Sequence, residues 1–193
     1  MRKNIRWMIA FLAVGFVMMG APKDADAALR LGVDALWIPL GFQTLESGGT
    51  KFDTEHEMGS GGLSAHAAFG FDILAVGLKV NYFNQAISFP GGDERFEEID
   101  FNLYGRVGFP TTDLAVFAEV GLSTNPGFDY AGYNMGAGLT YDLLGMPLLD
   151  FNIGAMGQYV NVSESNLDIG EDVSKPSLSQ GRVMLFLGID FSI

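Results

Sequence analysis

Apolar and polar residues alternate one by one along most of this sequence, and few folds can use such a pattern. The clearest segment is 183–193, where the odd-numbered positions, which form one parity of the strand, carry six apolar side chains: Val183, Leu185, Leu187, Ile189, Phe191 and Ile193. The other parity contains Arg182, Asp190 and Ser192. Since successive side chains of a β-strand point to opposite faces, this period of two predicts strands with one apolar and one polar face.

Eight segments share this alternation and are predicted to be antiparallel strands. They are 29–37, 63–71, 76–82, 99–109, 114–122, 131–143, 149–159 and 183–193. Short connections are predicted at 72–74, 110–113 and 144–147, and long ones at 43–62, 84–97 and 161–178, with 125–129 a short member of the long class. Short turns at one end and longer loops at the other are typical of outer-membrane β-barrels.

Alternation alone does not say which face is inside, because a soluble barrel of the lipocalin kind also alternates, with its apolar face inward. The inverted arrangement is favoured here. The apolar faces are nearly free of charge over about ten residues, the length of a tilted membrane strand. Aromatic residues gather near the strand ends, as in an interfacial girdle: Phe71, Phe109, Tyr141 and Phe191 on the turn side, and Trp37, Tyr82 and Tyr159 toward the long loops.

The first 27 residues are predicted to be a signal peptide. Arg2, Lys3 and Arg6 precede an uncharged apolar run, and Ala25-Asp26-Ala27 places small residues where a signal peptidase cuts. We expect a signal helix cleaved between Ala27 and Ala28, which leaves 28–193 as the barrel. The apolar run is shorter than the roughly 20 residues of a spanning helix.

Charge and cysteine content exclude other classes. The net charge is −12, which argues against nucleic-acid binding because that requires Lys and Arg to neutralise phosphates. There are no cysteines, so the chain has neither disulfides nor a lipidated N-terminal cysteine.

The exported N-terminus, the eight alternating segments and the apolar final strand 183–193 resemble the small OmpA/OmpX-like outer-membrane barrels. The resemblance implies an all-β, eight-stranded, antiparallel, up-and-down transmembrane barrel in the cell outer membrane. It also implies insertion by the barrel-assembly machinery, contact with outer-membrane lipids and lipopolysaccharide, and a monomeric state.

The polar faces are predicted to form a lumen charge network, because eight strands enclose an interior that side chains largely fill. Its expected members are Arg30, Asp34, Lys79, Asp100, Arg106, Glu119, Asp142, Asp150, Arg182 and Asp190. Arg30 is expected near Asp190, and Arg106 diagonally across from Glu119. The network either fills the lumen or lines a narrow passive path for small solutes or ions.

Other chemistry has less support. The loops are acidic, with residues such as Glu55, Asp93 and Asp168, but they lack the spacing of a calcium loop. Ser64 and His66 share a strand face, yet burial in the lumen favours a structural hydrogen bond over catalysis. We therefore expect no catalytic site, metal or cofactor, and a structural or surface role. The alternatives are the narrow channel and an adhesin that binds partners through its acidic outer loops.

Overall fold

A computed structural model describes residues 28–47, 50–55, 60–71, 73–89, 92–127, 131–146, 148–162 and 177–193. The predicted signal helix lies outside the described residues. The strands are β1 Ala28–Ser47, β2 Thr50–Glu55, β3 Ser60–Phe71, β4 Leu74–Phe89, β5 Gly92–Gly108, β6 Leu114–Thr124, β7 Gly132–Met146, β8 Leu149–Val162 and β9 Ser177–Ser192. None of the described residues forms a helix long and apolar enough to cross a membrane.

The strands close into an antiparallel barrel with eight positions. From β3 to β9 each strand pairs with the next one along the chain, and β9 pairs back onto β1. Two strands share the remaining position beside β1, since β3 pairs with its residues 28–38 and β2 with its residues 42–47. Closure pairs both edges of the strands within the ring, which is a requirement for strands in hydrocarbon. The predicted eight-stranded architecture is confirmed.

The strands on the long-loop side are longer than predicted. β1 continues to Ser47 and β2 follows at Thr50, while β4 continues to Phe89 and β5 begins at Gly92. The predicted loops at 43–62 and 84–97 are therefore largely hairpin. Hydrophobic alternation ends where contact with lipid ends, whereas backbone pairing continues beyond that level. The alternation can be read from the sequence, and the pairing cannot. Between Val162 and Ser177 the chain lies outside the described residues.

Two irregularities interrupt the register. Between Trp37 and Leu40 of β1 the pairing with β9 shifts, and Pro39 sits in the shift. Proline has no N–H to donate, so a bulge is one of the few places where a sheet accepts it. In β7 the register shifts between Asp142 and Leu144, which leaves Leu143 and Leu144 both facing outward.

The barrel has its apolar face outside and its polar face inside. Leu185 and Leu187 are exposed, whereas Arg182 and Asp190 on the same strand are 2% and 5% exposed. Along β9 and the residue after it, the apolar exterior extends over ten residue steps, from Val183 to Ile193. At about 3.4 Å per residue and a tilt of about 40°, that is a band about 26 Å tall, close to the roughly 25 Å of an outer-membrane barrel. The inverted arrangement predicted from the sequence is thereby confirmed.

Candidate functional site: a closed, charged lumen

The end of the lumen nearest the short turns contains one ion pair and one histidine–carboxylate contact. Arg106 on β5 donates two hydrogen bonds from one Nη to the carboxylate of Asp142 on β7, at 2.7 and 2.9 Å. His66 on β3 approaches Asp190 on β9, with Nε2 3.2 Å from Oδ1. Asp34 lies beside this pair and accepts a hydrogen bond from Ser64. Side chains from five strands thus meet near the narrow axis of the barrel.

Lys79 occupies the middle of the lumen. Its Nζ lies 3.6 Å from a carboxylate oxygen of Asp34 and 3.6 Å from one of Glu119. Three aromatic rings surround the ammonium, with centroids between 5.4 and 5.7 Å away: Tyr104, Phe117 and Phe186. A cation at this distance is attracted by the negative face of a ring, so this layer combines ion pairing with cation–π contacts.

Arg182 organises the layer nearer the long loops. One Nη lies 2.7 Å from Glu98 and 3.1 Å from Asp100, while its Nε donates to Gln158 at 2.7 Å. The guanidinium carbon lies 3.7 Å from the centre of the Phe83 ring. Two carboxylates, an amide and a ring therefore all face one buried guanidinium.

Amide side chains connect the two charged layers. Oε1 of Glu119 accepts hydrogen bonds from Asn81, Asn102 and Gln158, each at 3.1 Å. Gln158 also donates to Asp100 at 2.8 Å, which links Glu119 to the layer around Arg182. A buried polar network of this kind is stabilising when its members are satisfied, since an unpaired polar group in a dry interior is costly.

Inward-facing glycines make room for the rings of the middle layer. A Cβ at Gly154 on β8 would overlap the ring of Phe186, and one at Gly138 on β7 would lie 2.7 Å from Cζ of Phe117. Each ring therefore covers a glycine of the neighbouring strand. This arrangement explains why glycine recurs on the polar parity of these strands.

The structure places the ten predicted lumen residues on the inner side of the barrel. Seven are buried: Asp34, Lys79, Asp100, Arg106, Glu119, Arg182 and Asp190. Three are half-buried: Arg30, Asp142 and Asp150. Charged groups therefore line the lumen from the turn side to the level at which the outer surface becomes polar.

The two pairs of residues that were predicted to be neighbours are diagonal neighbours in the observed strand register. Asp190 pairs with Gly32, which places it diagonally from Arg30, and Arg106 pairs with Phe117, which places Glu119 diagonally from it. The ion pairs run elsewhere, however, since Arg106 binds Asp142 and Glu119 binds Lys79. Diagonal neighbours on adjacent strands are not the nearest partners where long side chains also reach across a narrow lumen.

Sequence reasoning missed several members of this interior. Glu98 lies one residue before the predicted strand 99–109, but it is fully buried against Arg182. The predicted charge network also omits Tyr104 and Phe117, whose rings face Lys79. The signal was present, because residues 98, 100, 102, 104 and 106 share one parity. Phe117 is hydrophobic, and a hydrophobic residue is normally expected on the lipid-facing side, but it occupies an inward-facing position of β6.

The aromatic girdles occupy both ends of the outer surface. Toward the long loops they comprise Trp37, Tyr82, Tyr133 and Tyr159, all exposed. On the turn side they comprise Phe109, Tyr141 and Phe191, also exposed. The side chain of Phe71 lies outside the described part of the structure. Rings at these two levels match the interfaces of a bilayer, where amphipathic aromatic side chains concentrate.

A cavity of about 20 Å³ lies in the half of the lumen nearest the short turns, lined by residues that include Asp34, His66, Tyr104 and Asp190. It has room for about one water molecule. Phe117 and Phe186 also line this cavity and are 4% and 7% exposed. Met184 on β9 is not exposed at all. Ser64 directs its hydroxyl hydrogen at Asp34 rather than at His66. The lumen is a packed interior in this structure.

The barrel is a closed ring of strands with a lipid-compatible exterior and a charged interior. The architecture is that of a small outer-membrane β-barrel. No protein-family model and no curated protein matches the chain in sequence. The inverted surface of the barrel is what assigns it to a membrane.

Solved structures with related folds were found. Neisserial surface protein A is 14% identical, with 86% of this chain and 97% of that chain covered and a TM-score of 0.46. The attachment invasion locus protein Ail of Yersinia pestis, solved with a heparin analogue, is 12% identical, with coverages of 86% and 97% and a TM-score of 0.44. The outer membrane protease OmpT from Escherichia coli is 11% identical, with coverages of 91% and 99% and a TM-score of 0.44.

Proposed function

We propose that the protein is an integral outer-membrane barrel with a structural or surface role, and that its side-chain-filled lumen does not conduct ions or solutes. The observation that carries this proposal is Lys79, held between Asp34 and Glu119 among three aromatic rings at the centre of the barrel. A permeant ion would have to displace this ammonium and break both ion pairs. That favours the filled lumen over the narrow passive channel.

Planar-bilayer recording tests this proposal. The full-length mature chain is inserted in its folded form, which is verified by its different gel migration before and after boiling. We expect no conductance steps above the empty bilayer at any ionic strength. Regular single-channel steps that persist in independent preparations, and disappear when the protein is boiled, would establish the channel instead.

Export and cleavage are part of the same proposal. The first described residues support it, because Leu29 exchanges two backbone hydrogen bonds with Ile193 and so belongs to the barrel wall. A cut between Ala27 and Ala28 would release the signal without disturbing this pairing. N-terminal sequencing of protein from the outer-membrane fraction should begin at Ala28. A start upstream of Met18 would leave the apolar segment attached and contradict the cleavage.

The extended hairpins favour a second candidate function, which is partner binding outside the membrane. β4 continues seven residues beyond Tyr82, the last ring of its outer face, and β5 returns from Gly92. At about 3.4 Å per residue and a tilt of about 40°, this hairpin projects about 18 Å above the aromatic girdle. The outer loops are acidic, so the matching partner is a basic protein surface.

Replacing residues 87–94 with Asn-Gly tests the partner-binding role. A two-residue turn between Ala86 and Arg95 keeps the register, because these two residues are paired in the present hairpin. We expect unchanged gel migration of the folded barrel together with lost adhesion to basic surfaces or host cells. Full adhesion by the folded variant would exclude this hairpin as the binding element.

A further inference from the structure

We propose that Asp34, His66 and Asp190 form a binding site for one divalent transition-metal ion of the Zn²⁺ type inside the lumen. This goes beyond the structural role proposed above and differs from the absence of a metal site expected from the sequence. The three residues lie on β1, β3 and β9, so the ion would connect the strand pair that closes the barrel to its neighbour.

The backbone register brings these side chains together. Gly32 on β1 pairs with His66 on one side and with Asp190 on the other. Gly32 has no side chain, and a Cβ there would overlap both the imidazole and the carboxylate. The two groups therefore meet above Gly32. Asp34 stands two residues further along β1 and points into the same space.

The distance between His66 and Asp190 suits a tetrahedral ion. Nε2 of His66 and Oδ1 of Asp190 are 3.2 Å apart. Two ligands at 2.0–2.1 Å from Zn²⁺, separated by a tetrahedral angle, are about 3.3 Å apart. One donor atom from each of the three residues lies within 4.8 Å of the others. One imidazole with two carboxylates is a donor set that Zn²⁺ accepts, with water as the fourth ligand.

A second observation points to a ligand at this place. The His66 side chain is only 7% exposed, and its Nδ1 has no hydrogen-bond partner in the described structure. Oδ1 of Asp190 also lacks a partner with hydrogen-bond geometry. Both residues line the cavity of about 20 Å³. Buried polar atoms are rarely left unpaired, and an ion bound between Nε2 of His66 and Oδ1 of Asp190 would satisfy the carboxylate oxygen. Nδ1, on the other edge of the ring, faces Oδ2 of Asp34 at 3.9 Å.

Three cations lie nearby, and each also faces other carboxylates or lies only diagonally. Arg106 is bound through two hydrogen bonds to Asp142, and Lys79 lies 3.6 Å from both Asp34 and Glu119. Arg30 lies diagonally from Asp190 in the strand register. Asp34 and Asp190, which flank the imidazole, therefore share these cations with Glu119 and Asp142. A divalent ion would neutralise both Asp34 and Asp190. Because of the imidazole, the site should prefer Zn²⁺ or Co²⁺ to Ca²⁺ or Mg²⁺.

Titration of the folded, full-length mature barrel with Co²⁺ and then Zn²⁺ tests the site. We expect about one Co²⁺ per chain, with the intense visible absorption of a tetrahedral ion that Zn²⁺ abolishes, and no response to Ca²⁺. Zn²⁺ should also raise the urea midpoint of unfolding, because it binds the folded state. A folded wild-type barrel with no Co²⁺ absorption and no Zn²⁺-dependent midpoint would overturn the proposal.

Two histidine variants locate the ion. The chain has two histidines, His56 and His66, so His56→Ala is the matched control for His66→Ala. We expect the absorption to survive in the His56 variant and to disappear in the His66 variant. Asp190→Asn provides a second test should His66→Ala fail to fold, and it should weaken Co²⁺ binding at least about tenfold. Binding that follows His56 would place the ion in the acidic first loop and contradict the lumen site.

Discussion

The ring of Phe186 on β9 fills the space that a side chain at Gly154 on β8 would need. A Cβ at position 154 would also collide with the backbone oxygen of Leu139 on β7. Because the ring is buried in the middle layer and the oxygen belongs to a paired strand, neither can move aside cheaply. Gly154→Val should therefore lower the free energy of unfolding by about 1–3 kcal/mol, as overpacking does in other cores. Urea titration in detergent micelles measures it.

The control for Gly154 is another glycine of the same strand. Gly157 faces outward, and a Cβ there would have nothing within 4 Å. Gly157→Ala should leave the urea midpoint unchanged or raise it slightly, because alanine reduces the freedom of the unfolded chain. Equal destabilisation by the two substitutions would show that strand glycines matter for backbone reasons and that Phe186 is not the cause.

Removing Arg182 should strongly destabilise the barrel. Arg182→Met leaves Glu98 and Asp100 buried without their cation, a situation that costs about 3–5 kcal/mol in other proteins. The double variant Arg182→Met with Glu98→Gln should recover part of this loss, since one stranded charge is gone. Arg95→Met, at an exposed position of β5, should change the unfolding free energy by less than about 0.5 kcal/mol. No recovery in the double variant would contradict the ion pairing.

A charged residue on the lipid-facing surface should lower the free energy of unfolding when it lies in the middle of the apolar band. It should have little effect on that free energy when it lies above the aromatic girdle. Leu103 is exposed near the middle of the apolar band on β5, and Glu97 lies six residues higher on the same strand. Leu103→Arg should lower the free energy of unfolding from lipid by about 2–4 kcal/mol, and Glu97→Arg by about 1 kcal/mol at most. In a soluble barrel both positions would tolerate arginine equally.

Single cysteines can report which parity faces lipid, because the chain has no cysteine of its own. Leu187→Cys is expected to react with a membrane-soluble maleimide in the folded protein, since position 187 is 56% exposed. Met184→Cys should react only after boiling, since position 184 is fully buried in the lumen. Fast labelling at 184 with protection at 187 would reverse the assignment of the faces.

Most of the barrel could be predicted from parity alone. Alternation assigns each residue to a face, so the positions of Lys79, Arg182 and Asp190 inside the barrel follow from the sequence. It could not give the strand ends on the long-loop side, because polar residues alternate there without a hydrophobic contrast. Glu98, one residue before the predicted strand 99–109, is such a position. The bulge at Pro39 was also unmarked, since the apolar pattern resumes beyond it at Leu40.

The partners of the charged residues were harder to predict than their faces. Arg182 on β9 binds Glu98 and Asp100 on β5, which lie 84 and 82 residues earlier in the chain. Neighbouring-strand reasoning considers only adjacent positions, whereas a narrow closed ring brings opposite walls within reach of one side chain. Such pairs depend on shear and diameter, and a single sequence contains neither quantity.

The two backbone hydrogen bonds between Leu29 and Ile193 bear on how the molecule is made. The ring is closed by β1 and β9, the first and last of the described strands, so this pairing can form only after β9 has been synthesised. Until then β1 and β9 are both edge strands with unpaired backbone amides, and each is open to pairing with another chain.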